Sequence, residues 1–178
     1  MKKTVIILAT ITTMFAQMHN IYGEALGPGL LGSINYERML IEDKNIFLRA
    51  GYGGFTVEST LPGAYDVETG TYVDLTSSLS INPIILGVTK LWGNKWRLEA
   101  GGGVSLWMVT IEGSASNSVG SVDVTEDGMI PSLYTTLGVR YQNPEGGLNL
   151  KLGLSPTILF GDLSGTIPFP HLSLGYSF

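Results

Sequence analysis

An all-β chain closing as an eight-stranded antiparallel up-and-down transmembrane β-barrel is the fold that the sequence predicts. Three observations predict it. From residue 32 to the end, apolar and polar residues alternate with a period of two in segment after segment, the mark of strands with two unlike faces. Aliphatic and aromatic residues make up 44% of the chain and charged residues only 14%, whereas a soluble domain carries about a quarter charged. No run approaches the roughly 20 apolar residues of a membrane-spanning helix, so any membrane crossing has to be made by strands. The connections are alternately short and long, as in barrels with tight periplasmic turns and larger extracellular loops.

Composition narrows the field further. A chain of 178 residues holds one domain. Its 24 glycines and 8 prolines are scattered along the chain, where both weaken helix interiors. The net charge of −5 becomes −7 once Lys2 and Lys3 are removed with a leader, which argues against nucleic acid as a partner. Without cysteine there is neither disulfide nor thiolate chemistry. No phosphate-binding glycine loop or zinc spacing is present, and no cofactor is expected.

Residues 1–16 read as a signal peptide: Met1 to Thr4 form a basic head and Val5 to Ala16 an apolar core too short to span a bilayer. Cleavage after Ala16 leaves Met14 where a small residue is preferred, while cleavage after Ala25 places Gly23 and Ala25 well. Topology favours the earlier site and a barrel over 17–178. A barrel with an even strand number and both ends in the periplasm needs an ascending strand before the descent near Leu30. Asn20 to Leu26, turned by Gly27, Pro28 and Gly29, supplies it, and the later cut would delete it.

The remaining strands follow in order. Ile34 and Tyr36 oppose Ser33, Asn35 and Glu37; Ile46, Leu48, Ala50 and Tyr52 oppose Phe47, Arg49, Gly51 and Gly53. Ile84 to Trp92 forms a further strand, with Lys90 near its end able to reach water. Trp96, Leu98, Ala100, Val104, Leu106 and Met108 oppose Arg97, Glu99, Gly101, Gly103, Ser105 and Trp107. Leu133, Leu137, Val139 and Tyr141 oppose Tyr134, Thr136, Gly138 and Arg140, and Leu148 to Leu154 alternate with Asn149, Lys151 and Gly153. In the last strand Leu172, Leu174, Tyr176 and Phe178 oppose His171, Ser173, Gly175 and Ser177. Glu42 to Asn45, Gly93 to Lys95 and Asn143 to Gly147 are the short turns. Glu58 to Ser78, Glu112 to Gly128 and Gly161 to Thr166 are the long loops.

The segments IYGEALGPGLLGSINYERML (Ile21 to Leu40), LRAGYG (Leu48 to Gly53), LEAGGG (Leu98 to Gly103), LGVRYQNPEGGLNLKLGLSP (Leu137 to Pro156) and PHLSLGYSF (Pro170 to Phe178) together resemble the small eight-stranded outer-membrane barrel proteins of Bacteroidota, of OmpA-like or OmpX-like architecture. The resemblance implies the fold and a place in the outer membrane of a Gram-negative bacterium. It brings no established activity.

Four constellations are candidates for function. Glu24, Glu37, Arg49, Arg97, Glu99, Arg140 and Lys151 fall on inward positions, and an eight-stranded barrel is just wide enough to be filled by side chains. They are expected to form a paired ionic plug, the alternative being a narrow ion or solute pore. Leu172, Leu174, Tyr176 and Phe178 resemble the terminal signal read by the barrel-assembly machinery, which could pair such a strand at a sheet edge. The charges of the long loops, Glu58, Asp66, Glu68, Asp74, Glu112, Asp123, Glu126, Asp127 and Asp162, are all acidic. Asp123, Glu126 and Asp127 are the most compact group and a candidate site for calcium or for the divalent ions that bridge lipopolysaccharide, since hard cations take carboxylate oxygens. His171 and Ser173 share the spacing of outer-membrane lipid A deacylases, but both point inward and no acid follows, so no catalytic residue is assigned. Tyr36, Tyr52, Trp92, Trp96, Tyr141 and Tyr176 lie near strand ends, where amphipathic rings form an interfacial girdle.

The expected function is therefore a non-enzymatic, monomeric outer-membrane barrel serving envelope structure or surface interaction through acidic loops. Its expected partners are outer-membrane lipid, lipopolysaccharide and the assembly machinery. A soluble lipocalin-type barrel is the rival fold, and it would turn the aliphatic faces inward and the arginines outward.

Overall fold

A computed structural model describes residues 18–66, 70–116, 121–161 and 164–178. The signal-peptide assignment, Glu68 and Asp162 lie outside the described residues. Nine strand segments follow one another antiparallel: β1 (His19–Leu26), β2 (Gly32–Ile41), β3 (Ile46–Gly53), β4 (Phe55–Asp66), β5 (Thr71–Gly93), β6 (Trp96–Ser116), β7 (Ser121–Gln142), β8 (Gly147–Leu159) and β9 (Gly165–Ser177). Single 3-10 turns at Gly27–Gly29 and Glu42–Lys44 join β1 to β2 and β2 to β3.

These nine segments make eight wall strands. β3 and β4 both pair with β5 in one continuous register, Tyr52 opposite Ile84 and Phe55 opposite Ile81, so they are the lower and upper parts of a single strand interrupted at Gly54. β1 pairs with β2 on one side and with β9 on the other, closing the ring. Closure pairs every strand within the wall, which a lipid environment demands because it offers the backbone no water. No helix among the described residues is long and apolar enough to cross a membrane, which leaves crossing by strands untouched.

The alternation read in the sequence maps onto two faces. Phe47, Arg49, Ile85, Thr89, Arg97, Glu99, Tyr134, Arg140 and Lys151 are buried inside, while Leu98, Leu137, Leu152, Leu154, Leu172 and Leu174 stand exposed outside. Glycines on the inner face make room for large neighbours: at Gly87 a Cβ would meet the phenol of Tyr134, and at Gly51 the carboxamide of Asn35.

One expectation is corrected. Glu58 to Ser78 and Glu112 to Gly128 are not irregular loops. β4, β5, β6 and β7 run on through them, paired up to Asp66 opposite Thr71 and Ser116 opposite Ser121. β5 has 23 residues and β7 has 22, about twice the 9–11 that a tilted strand needs to cross. The upper parts of these four strands form a paired blade beyond the barrel. Its alternation persists with the polarity exchanged: on the face continuous with the lumen stand Val57, Leu61, Leu75, Leu79, Ile111, Val122 and Val124, and on the outer face Thr56, Glu58, Ser78, Glu112, Asp123 and Asp127. A segment whose apolar residues face inward above the membrane reads as a polar loop when apolar-out is the criterion.

Candidate functional site: the filled lumen and the blade above it

The lumen is filled in three layers. In the middle, Glu37 is the hub. Its carboxylate accepts two hydrogen bonds from Arg140, Nη1 to Oε2 at 2.8 Å and Nη2 to Oε1 at 3.0 Å, and is bound by Lys151 Nζ at 2.6 Å, by the Tyr22 hydroxyl at 2.8 Å and by Asn20 Nδ2 at 3.2 Å. Arg140 Nε also donates to Glu99 at 2.7 Å. A second group lies beside it: Arg49 binds Glu24 at 2.5 Å and Asn35 Oδ1 at 2.9 Å, and the Ser173 hydroxyl donates to Glu24 at 3.2 Å. Three carboxylates, Glu24, Glu37 and Glu99, thus meet three cations, Arg49, Arg140 and Lys151, all buried. Rings complete the packing, with Lys151 Nζ 3.5 Å from the centroid of Tyr22 and Arg49 stacked near Tyr22 and Tyr134. Pairing and hydrogen bonding offset the cost of burying these six charges.

Arg97 corrects the expectation for its group. It faces inward but makes no ion pair among the described residues. Its Nε donates to the carbonyl of Asn94 in the turn before β6, and its Nη1 has no partner. Position explains this: Arg97 opens its strand at the turn end, whereas Glu99 lies one inward step further along.

Apolar layers lie above and below the ionic layer. Toward the turns, Met39, Phe47 and Leu91 form a buried cluster with Met18 against it. Toward the blade, Leu30, Trp107 and Leu159 form another, joined by Phe55, Ile81, Ile130 and Phe169. The Gly27–Gly29 turn folds into this upper layer, where Ser105 donates to the Pro28 carbonyl and all three turn residues are buried. Sequence reading placed Phe47 and Trp107 inward but gave them no role. It also passed over Asn20, Tyr22 and Gln142, although Tyr22 stands two residues from Glu24 and Gln142 two from Arg140 on the same faces.

His171 and Ser173 do face inward, but they do not pair. His171 Nδ1 lies 3.0 Å from the Ser155 hydroxyl, while Ser173 turns to Glu24. The Asp123, Glu126 and Asp127 group is also corrected. Alternation along β7 puts Glu126 on the face opposite to Asp123 and Asp127, and Asp127 accepts a hydrogen bond from Thr110 at 2.7 Å. Among the described residues no three acidic or histidine side chains come together to hold a metal ion. Leu172, Leu174 and Tyr176 stand exposed on the outer face of β9, which is paired with β1 and β8, and Phe178, exposed just beyond its end, stacks its ring on His19. Of the girdle residues, Trp96 and Tyr141 pack together with ring centroids 5.1 Å apart.

Comparison with solved structures bears on the fold alone. A major outer membrane protein from Thermus thermophilus superimposes with a TM-score of 0.55 at 14% identity, over 91% of this chain and 98% of that one. The fold is that of an outer-membrane barrel. Weaker likenesses are the N-terminal β-barrel domain of Pseudomonas aeruginosa OprF (TM-score 0.49, 16% identity, 91% and 96% covered) and Yersinia pestis Ail, solved with a heparin analogue (TM-score 0.44, 11% identity, 91% and 97% covered). No protein-family model matches the sequence, and a search of curated proteins gave no match.

Proposed function

We propose that the protein is an integral outer-membrane barrel of a Gram-negative bacterium whose filled, non-conducting wall holds the β4–β7 blade at the cell surface for interaction. The observation that supports this reading is the packed lumen, in which a paired ionic cluster lies between two clusters of buried apolar side chains. The apolar outer face supports a lipid surround, with lipid and lipopolysaccharide as the molecules against it. The four lengthened strands support display, since they exceed what crossing needs. We read the molecule as monomeric and non-enzymatic; His171 and Ser173 sit within the packed lumen and lack a shared geometry. We further read the outward row Leu172, Leu174, Tyr176 and Phe178 as the assembly signal, and the chain as one of the small Bacteroidota barrels that its segments resemble.

Planar-bilayer recording of the purified protein tests the closed wall. Baseline current without reproducible steps is expected, and steady unitary steps would favour a pore.

A further inference from the structure

The blade has two free edges, and they differ. On the β4 side the edge is broken: Pro62 lacks an N–H, the register shifts between Leu61 and Ala64, and Gly63 has φ of +66° with its N–H donating to Asp74. Such features are how edge strands avoid pairing with other chains. The β7 edge carries none of them. Pairing of β7 with β8 begins at Ser132 opposite Leu159, with Phe160 N donating to the Pro131 carbonyl just beyond. From Ser121 to Ile130, β7 is hydrogen-bonded to β6 on one side, and among the described residues nothing pairs with the other.

The two faces beside that edge specify what could join it. Val122 and Val124 are 67% and 58% exposed on the face continuous with the lumen, next to Ile111 at 52%, and Glu126 follows them on that face nearer the wall. The opposite face carries Asp123 and Asp127 at the edge, with Glu112 and Glu58 further in. No lysine or arginine occurs between residues 50 and 89 or between 98 and 139, so the blade's own strands offer no neutralising charge. An added strand would place successive side chains on alternate faces. Beside β7 its apolar residues would cover Val122 and Val124 while its basic residues met Asp123 and Asp127. A second copy of this chain brings acid to acid, and like charges placed opposite each other oppose pairing.

We propose that the free edge of β7, Ser121 to Ile130, takes an added strand from a polypeptide in which apolar and basic residues alternate. Main-chain hydrogen bonds hold that strand, and the two unlike faces select it. The inference rests on the surface-interaction reading above and names its class of partner.

The test uses the full mature chain folded in phosphatidylcholine nanodiscs, whose neutral surface does not itself attract a cationic peptide. Fluorescence anisotropy follows binding of a labelled peptide of about ten residues, the length of the free edge, in which valine and lysine alternate. Saturable binding is expected. A version N-methylated at every second residue is expected to bind about tenfold or more weakly, having lost several backbone donors. Asp123→Asn with Asp127→Asn is expected to weaken the unmethylated peptide about fivefold, the scale of two exposed charge pairs. Both substitutions lie outside the barrel wall, so folding is not at stake. Equal affinity of the N-methylated peptide, or of one with the valines and lysines in two blocks, would overturn strand addition in favour of plain charge attraction. Absence of saturable binding would overturn it too, as would light scattering showing that the blade pairs with a second copy. A protein that passes the conductance test and displays its blade on cells yet fails here loses this inference alone.

Discussion

Glu37 collects more of the lumen than any other side chain, and the account at the residue scale turns on it. With five donor contacts from Arg140, Lys151, Tyr22 and Asn20, its carboxylate pairs with two buried cations at once, and Glu99 supplies the second negative charge. Glu37→Gln keeps the shape and removes the charge, leaving Arg140 and Lys151 with Glu99 alone, and is expected to cost roughly 3–5 kcal/mol. The shift of the urea midpoint of the detergent-folded barrel measures it. Arg97→Gln removes an arginine that has one backbone acceptor and no ion pair, so the same measurement should give only about 1 kcal/mol. Sequence alternation places both arginines inside but cannot separate them, because ion pairing depends on which level of the cylinder each strand register brings together. Gly87→Ala supplies an independent check: its Cβ would meet the Tyr134 phenol, with an expected penalty of about 1–3 kcal/mol. Tyr134→Phe, by removing that oxygen, should make the alanine markedly less harmful.

At the scale of the element, the four lengthened strands are what a reading of the sequence does not recover. The short turns, the strand ahead of the Gly27–Gly29 turn and the terminal strand were legible, since each couples an unbroken period of two to a turn signal. Val57 to Leu61, Leu75 to Leu79, Ile111 to Ala115 and Val122 to Val124 keep the same period, but serines, threonines and glycines dilute it and the aliphatic residues take the inner side. Above the bilayer the outer face meets water and carries the charged side chains, so the rule for the wall inverts. This inversion also divides Asp123 and Asp127 from Glu126, which spacing along the chain had grouped. Brief proteolysis of intact cells should cut within 66–71 and 116–121, between the paired strands, and spare those strands on either side. Cleavage first at Asn143–Gly147 would reverse the orientation given to the barrel.

For the whole molecule, the arrangement follows from putting each kind of side chain where its surroundings suit it. Ions pair in the middle of the cylinder, buried apolar clusters lie on either side of them, and the aliphatic rows are left outside with nothing among the described residues to cover them. An apolar exterior this continuous needs lipid. The chain contains no cysteine, so a single spin label can be attached at any chosen position. The most direct test labels Leu150→Cys, Leu152→Cys and Leu154→Cys on β8 in bilayer vesicles and compares relaxation by oxygen, which concentrates in lipid, with relaxation by a water-soluble nickel chelate. Strong oxygen relaxation with little from nickel at all three positions is the result expected of a lipid-facing wall; nickel relaxation dominating at all three would show the wall in water and contradict it.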